Sequence, residues 1–285
     1  MKKVLVTGSS GYIGSHLCAK LLKAGYHVVG LDKNYPTDKF DTFLRQNPEF
    51  TFNFANQNIN ALFDSSDEYD AVIHLAALVN VGESEKTPIP YYITNINGTM
   101  NCLAKINTNN FIFASTGAAE GCESAYGISK RAAEDCVVEY CTQHKQRDYT
   151  IFRFYNVIGS AGFKATNPDG VMYNLVKAID TNEFTIFGDD YSTKDGTCIR
   201  DYVHVMEIVE ALMIAIDEPA NGKESLGHGV GRSVKEIAEL FKEVNNIDFQ
   251  IEYGPRRKGD LEISVLDSVS KYMKDLYTIE ELLKI

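Results

Sequence analysis

The chain has no apolar run approaching the length of a membrane span, no surplus of cations and no paired-cysteine spacing. Each absence closes off a class of function. A bilayer-crossing helix needs about 20 apolar residues in succession, so no membrane partner is expected. Lys and Arg number 28 against 39 Asp and Glu, a formal charge of −11. That balance leaves nothing with which to neutralise a phosphate backbone, and nucleic acid is not expected as a partner. A small anionic ligand stays compatible, because a few cations converging in a pocket suffice. The six cysteines, Cys18, Cys102, Cys122, Cys136, Cys141 and Cys198, show neither C-x-x-C pairing nor metal-ligand spacing with the six histidines. They read as reduced thiols, and no metal site is expected. Met1-Lys2-Lys3 leads straight into Val4-Leu5-Val6 without a long apolar leader, and a cytoplasmic protein is expected.

At 285 residues and 44% apolar, the chain is long enough to bury a full core and lies near the size at which one domain begins to divide. Apolar runs at Lys3–Thr7, His27–Leu31, Ala71–Leu75, Asn110–Ser115 and Tyr149–Arg153 lack two-residue alternation, and helical periodicity separates them. The first helix is predicted from about Gly14 to Ala24. This pattern predicts an α/β fold with a doubly wound parallel sheet (Rossmann) covered on both faces. After about residue 158 the regularity weakens, through Asn167-Pro-Asp-Gly170 and the loop from Gly188 to Gly196. Helical pieces at Ser233–Val244 and Thr278–Leu283 then predict a smaller C-terminal lobe. The expected division is a nucleotide-binding domain over residues 1–157 and a substrate lobe over 158–285, with part of 198–219 returning to the first. The crevice between them is the expected ligand site.

Gly8-x-x-Gly11-x-x-Gly14 follows the first strand and opens the first helix, the context in which a glycine pattern signals dinucleotide binding. Glycines permit the tight turn and the close approach of a pyrophosphate, while the helix terminus supplies N–H donors. Eighteen residues past Gly14, Asp32 ends the second strand. A carboxylate there accepts from ribose hydroxyls and repels a 2′-phosphate, favouring NAD over NADP. Further on, Tyr126 and Lys130 stand four residues apart, on one face of a helix. A neighbouring ammonium is expected to lower the phenol pKa toward neutrality, as a base acting on a hydroxyl requires. Ser115 and Thr116 offer hydroxyls at a carboxyl end of the sheet, and Thr116 is the candidate to hydrogen-bond the reacting oxygen. On pattern alone, the same two residues equally well do no more than end a strand.

With these motifs, His74-Leu-Ala-Ala77, Val81-Gly-Glu-Ser84, Asn95-Ile-Asn-Gly-Thr99, Arg153-Phe-Tyr-Asn156, the long stretch Ile186 to His204 and Gly254-Pro-Arg-Arg-Lys-Gly-Asp260, the chain resembles the extended short-chain dehydrogenase/reductase family. Within that family it resembles the branch of NAD-dependent UDP-sugar 4-epimerases. The resemblance covers almost the whole chain. It implies inversion at C4 of a UDP-hexose, UDP-glucose or UDP-galactose, through a transient 4-keto sugar, with Tyr126, Lys130 and Thr116 as catalytic residues. It adds Tyr12, Ile13, Asn56, Leu75, Ala76, Ala77, Asn95, Ser115 and Tyr155 to the cofactor contacts, Asn95 by the nicotinamide. It assigns Asn156, Asn174, Arg200, Arg257 and Asp260 to the UDP portion and Ser264 to the hexose pocket, where a small residue leaves room for an N-acetyl group. It also implies a homodimer built on the helix after Tyr126, whose Ala132, Ala133, Cys136, Val137, Tyr140 and Cys141 form an apolar stripe. The same stripe would serve equally to cover the sheet.

The chain departs from the family pattern in three places. Nine residues separate Thr116 from Tyr126, a shortened segment, Asn56 replaces an acid, and Val79 replaces a lysine. Two other readings compete: a sugar-nucleotide dehydratase or decarboxylase, and a non-catalytic NAD sensor. Thr116 is followed by Gly117-Ala118, with no acid to drive elimination, and retention of Tyr126 and Lys130 argues against a sensor.

Overall fold

The computed structural model describes residues 1–285 apart from 63, 65, 144–146, 161, 164–166, 168–169 and 258. Pro168 and Asp169 of the predicted Asn167–Gly170 turn, and Lys258 of the segment ending at Asp260, lie outside the described residues. A seven-stranded sheet runs in the order Gly222–Leu226, Asp148–Phe154, Asn110–Thr116, Ala71–His74, Lys3–Thr7, His27–Asp32, Phe52–Asn56. Every neighbouring pair is parallel. Strand direction therefore brings the carboxyl ends Thr7, Asp32, His74, Thr116 and Phe154 to one edge, and the order reverses between Lys3–Thr7 and Ala71–His74. Such a switch point opens a crevice for ligands.

Both faces are covered, which explains the absence of alternation. Val4 and Val6 meet Leu17 and Leu21 of the helix Tyr12–Lys23 and Val209 and Leu212 of the helix Val205–Asp217. Leu5 points the other way, into a cluster with Phe111, Phe113, Cys102 and Leu103. Ala133, Val137 and Cys141 of the predicted stripe join that second cluster, so this half of the stripe covers the sheet. The expected parallel sheet is present, with two strands beyond the five read from apolar runs. Phe52–Asn56 and Gly222–Leu226 are its edges, half-exposed and built partly from polar residues, so neither forms an apolar run.

Beyond residue 157 the chain returns to the sheet layers through the helix Val205–Asp217, the strand Gly222–Leu226 and the buried Tyr272, which packs edge-on against Phe152. The rest forms a smaller body. Ile199–His204 pairs with Asn156–Ile158, Gly231–Ser233 and Ile263–Ser264, while Glu183–Phe187 pairs in parallel with Gln250–Gly254. Leu175, Phe184, Ile186, Ile237 and Phe241 fill its core. The helix Val234–Asn245 starts at a reciprocal cap between Ser233 and Glu236, which satisfies two of its free backbone donors.

One buried polar link ties the helix Val205–Asp217 to the loop after the last sheet strand. Burial opposes ionisation of Glu207, but hydrogen bonds from His228 and the N–H groups of Leu276 and His204 outweigh it and hold the carboxyl below its ordinary range. The same bond to Glu207, 2.9 Å long, raises the His228 imidazole above its usual value. A raised histidine stabilises the fold fully below its unfolded value of 6.5 and loses that contribution as pH rises through the folded value; the lowered glutamate contributes above 4.5 and loses it in acid. His228→Asn should therefore cost most stability near about pH 5.5 and clearly less near about pH 9. Urea unfolding of both proteins at the two pH values checks this, and an equal difference at both would refute the linkage.

Candidate active site

The carboxyl edge of the sheet and the smaller body enclose a cavity of about 770 Å³. That lies toward the upper end of the range of about 300–1,000 Å³ for small-molecule sites. On one wall the chain leaves Lys3–Thr7, turns at Gly8 with φ of +72° and enters the helix at Tyr12. A Cβ on Gly8 would lie 2.7 Å from the Ala76 backbone nitrogen, and one on Gly14 would lie 2.1 Å from the Gly8 carbonyl oxygen. These positions admit no side chain, so the backbone can be approached closely here, as a dinucleotide requires. Asp32 closes this end, accepting from the N–H groups of Ser10 at 3.1 Å and Asn34 at 2.9 Å. The glycine cradle and the adjacent carboxylate fit NAD. Gly8, Gly11, Tyr12, Ile13, Gly14, Asp32, Leu75, Ala76, Ala77, Ser115 and Tyr155 all line the cavity.

Two residues assigned to the cofactor do not. The Asn56 amide donates to the carbonyls of Asp32 and Lys33, at 3.3 and 3.0 Å, and lies outside the cavity wall. Asn95 is buried in a π-helical turn, Ile93–Asn97. Its side chain accepts from Leu78 N–H at 2.9 Å and donates to the Leu78 carbonyl and to Ser129 Oγ. It fixes the loop after Ala71–His74 against the helix that carries Lys130. Gln57 and Asn58, two residues along from Asn56, supply wall that the sequence reading passed over.

Across the cavity, Thr116 ends its strand and the helix Ala125–Gln143 presents Tyr126 and Lys130. The helix start is held from outside: Ser84 Oγ accepts from Tyr126 N–H at 3.1 Å and Glu85 Oε1 from Ala125 N–H at 3.0 Å. The expected drop in the phenol pKa is not found in the protein alone. Burial pushes Tyr126 up to about 12 against a hydrogen bond with Thr116 that favours the phenolate. Burial also pulls Lys130 down to about 7, opposed by the charge of Glu134. The Lys130 ammonium lies 4.2 Å from the centroid of the Phe113 ring. Spacing had placed the two groups on one face correctly, but it carries no information on how dry that face is.

The third wall comes from the smaller body. Asn156, Asn174, Arg200, Arg257, Asp260 and Ser264 line it. Arg200 donates to the Ile199 carbonyl at 2.9 Å and lies 3.9 Å from the Asp260 carboxylate, a loose pair. Arg257 stacks 3.9 Å from the centroid of the Phe187 ring, an arrangement that orients the guanidinium plane and is compatible with its N–H fork meeting an anion. Phe187 was not picked from the sequence, although its position directly before Gly188 in the most specific stretch marks it. Asn156 and Asn174 donate to the carbonyls of Asp201 and Gly170. Ser264 pairs in register with Arg200. Among the described residues, no helix is long and apolar enough to cross a membrane.

The sequence model of the NAD dependent epimerase/dehydratase family matches residues 4–229. A UDP-glucose 4-epimerase of Schizosaccharomyces pombe is 33% identical over 312 aligned positions, covering 90% of this chain and 84% of that protein. Among solved structures, the UDP-glucose 4-epimerase of Bifidobacterium longum in complex with NAD+ and UDP superposes with a TM-score of 0.87 at 27% identity, covering 99% of this chain and 96% of that one. The UDP-Glc/GlcNAc 4-epimerase of Campylobacter jejuni does so with a TM-score of 0.78 at 30% identity, covering 99% and 97%. With the glycine cradle, the Tyr126–Lys130 face and a match running through most of its length, this chain belongs to the NAD dependent epimerase/dehydratase family.

Proposed function

We propose that this chain is an NAD-dependent epimerase that inverts C4 of a UDP-hexose, interconverting UDP-glucose and UDP-galactose. The observation that carries the reading is the coexistence, in one cavity, of a dinucleotide cradle, Thr116 and Tyr126 with Lys130 on the same helix, and an arginine-bearing wall opposite. The relatives named above support it.

Tyr126 takes the proton of the C4 hydroxyl and returns it, Thr116 holds the same oxygen through its hydroxyl, and Lys130 favours the phenolate. NAD, when bound, supplies reversible hydride acceptance and, in its oxidised form, a positive charge in a site whose dryness otherwise keeps Tyr126 protonated. Arg200 and Arg257 grip the pyrophosphate with their N–H forks. Inversion requires both faces of C4 to meet the same wall, so the chain holds UDP firmly and the hexose loosely. The wall beside Thr116 is made of Gly117, Ala118, Gly121 and Ser124, all small, with Glu123 as its one longer side chain.

Elimination would need an acid here. Of the two acids of this segment, Glu120 is engaged by Arg153 at 3.0 Å and lies outside the cavity wall, while Glu123 lines it; neither follows directly on Thr116, where Gly117 and Ala118 stand, which favours epimerisation over a dehydratase. Six free cysteines fit a reducing, cytoplasmic setting. A homodimer is part of the proposal, with a modified surface. Ala133, Val137 and Cys141 are spent on the sheet, but Ile128 on the same helix and Ile89, Ile93 and Met100 on the segment packed against it remain exposed. Two such helices from each copy would form a four-helix contact.

Tyr126→Phe should lower kcat by orders of magnitude while leaving UDP-sugar affinity nearly unchanged, since it deletes the proton acceptor and spares the anchors. A rate near that of the parent would show the base to be misassigned. The wild-type protein should sediment as a dimer, and Ile93→Glu with Ile128→Glu should yield monomers; a parent that stays monomeric at every concentration would rule the interface out. Finally, Ser264 and the short Thr116–Tyr126 wall leave room for an N-acetyl group. Interconversion of UDP-N-acetylglucosamine and UDP-N-acetylgalactosamine is expected, and Ser264→Tyr should abolish it by a loss of about one to three kcal/mol of discrimination while sparing UDP-glucose. NMR of the product mixtures checks this, and an inert acetylated pair in the parent refutes it.

A further inference from the structure

We propose that Glu134 is a positioning residue for the proton-handling pair: its buried carboxylate, clamped by Ser115, Arg153 and Lys223, holds the Lys130 side chain in its charged form from one helical turn away. The inference rests on the reading that Tyr126 and Lys130 handle the proton. Tyr126, Lys130 and Glu134 follow one another at four-residue intervals on the helix Ala125–Gln143 and so share a face. They are 8%, 3% and 0% exposed, and Glu134 does not line the cavity. It reaches the site through others. Ser115, beside Thr116, donates to Glu134 Oε1 at 2.6 Å. Arg153 donates through Nε at 2.8 Å and Nη2 at 2.7 Å, in a fork, and Lys223 Nζ lies 2.9 Å from Oε2. Three adjacent strands thus supply the donors, which fixes the carboxylate in place and keeps it ionised despite its burial.

The charges around it continue into neighbouring ion pairs. Arg153 also meets Glu120 at 3.0 Å and Lys223 meets Asp135 at 3.4 Å. Arg131 Nε lies 3.5 Å from Asp135, so the carboxylates of Glu120, Glu134 and Asp135 face the cations Arg153, Lys223 and Arg131, and the Lys130 ammonium stands one turn before Glu134 on the same helix face as a further positive charge. On its other sides Lys130 meets the Phe113 ring and, across the sheet, His74. Burial pushes that imidazole down to about 3, so it carries no charge near neutrality. The Tyr126 phenol is likewise uncharged there. The acid acting on Lys130 is Glu134, and it works against a burial that has already brought the amine to about 7. The Glu134 charge opposes that fall and favours the ammonium form of Lys130.

Titration of the Lys130 side chain by NMR in the whole chain, beside the pH profile of kcat, tests this. Glu134→Gln should move the Lys130 titration to lower pH by about one pH unit or more and carry the alkaline limb of kcat with it. KM for UDP-glucose should hold, because Arg200 and Arg257 are untouched. Glu134→Asp keeps the charge and should restore most of the titration. Should Glu134→Gln fail to fold, Lys223→Met, at a side chain 30% exposed, unmasks the carboxylate and should move the titration to higher pH. A Lys130 titration that stays in place in the folded variants overturns the proposal, as does a kcat lowered equally at every pH. A wild-type protein inert toward UDP-glucose would instead strike at the proposed function, and the titration would still decide the role of Glu134.

Discussion

Removing the Lys130 ammonium and the Tyr126 phenol from water is the constraint around which the rest of the site is arranged. For the lysine, a fall from 10.5 to about 7 corresponds to roughly 5 kcal/mol against the charged form. Exposed ion pairs, worth about 0–1 kcal/mol, are too weak to answer that. A buried carboxylate with its own donors is strong enough to matter, and the parallel sheet makes one affordable. Ser115 and Arg153 are register partners, and Arg153 pairs in turn with Ser225 on the strand that bears Lys223. Three strands running the same way deliver a hydroxyl, a guanidinium and an ammonium to one point beneath the helix that carries the pair. An antiparallel edge would bring strand starts and strand ends together at that level.

This dependence separates what was legible in the sequence from what was not. The glycine loop could be read because its chemistry is local: a turn at Gly8, a helix start at Tyr12 and a Cβ-free contact at Gly14 lie within seven residues. The shared face of Tyr126 and Lys130 was equally local. Dryness was not, since it depends on Phe113, Ser115 and the packing of a helix 19 residues long. The expected direction of the Tyr126 shift was accordingly reversed. Asn56 and Asn95 lie outside the cavity wall for a related reason. An amide beside a ligand site and an amide that ties loops together have the same chemistry, and only the partners, backbone carbonyls and N–H groups here, tell them apart. The Glu134 cluster joins residues 19 and 89 positions apart, a separation that no periodicity encodes.

The cavity is also gripped unevenly, and the unevenness follows from which elements build each wall. The smaller body contributes paired strands that hold Arg200 and Ser264 in register and an aromatic shelf under Arg257. Charged anchors there are set by backbone pairing and stacking, so they keep their geometry without a ligand. The segment between Thr116 and Tyr126 is a single short helical turn, Ala118–Gly121, followed by Cys122 at φ of +53°. With so few residues it lines the site with small side chains apart from Glu123. One wall is therefore rigid and charged and the other, Glu123 aside, small, next to a tyrosine whose backbone N–H is held by Ser84. On the proposed reading, an enzyme that must act on both faces of one carbon needs this division: an anchor that does not let go, a reacting group that does not move, and between them a sugar that nothing holds in one orientation.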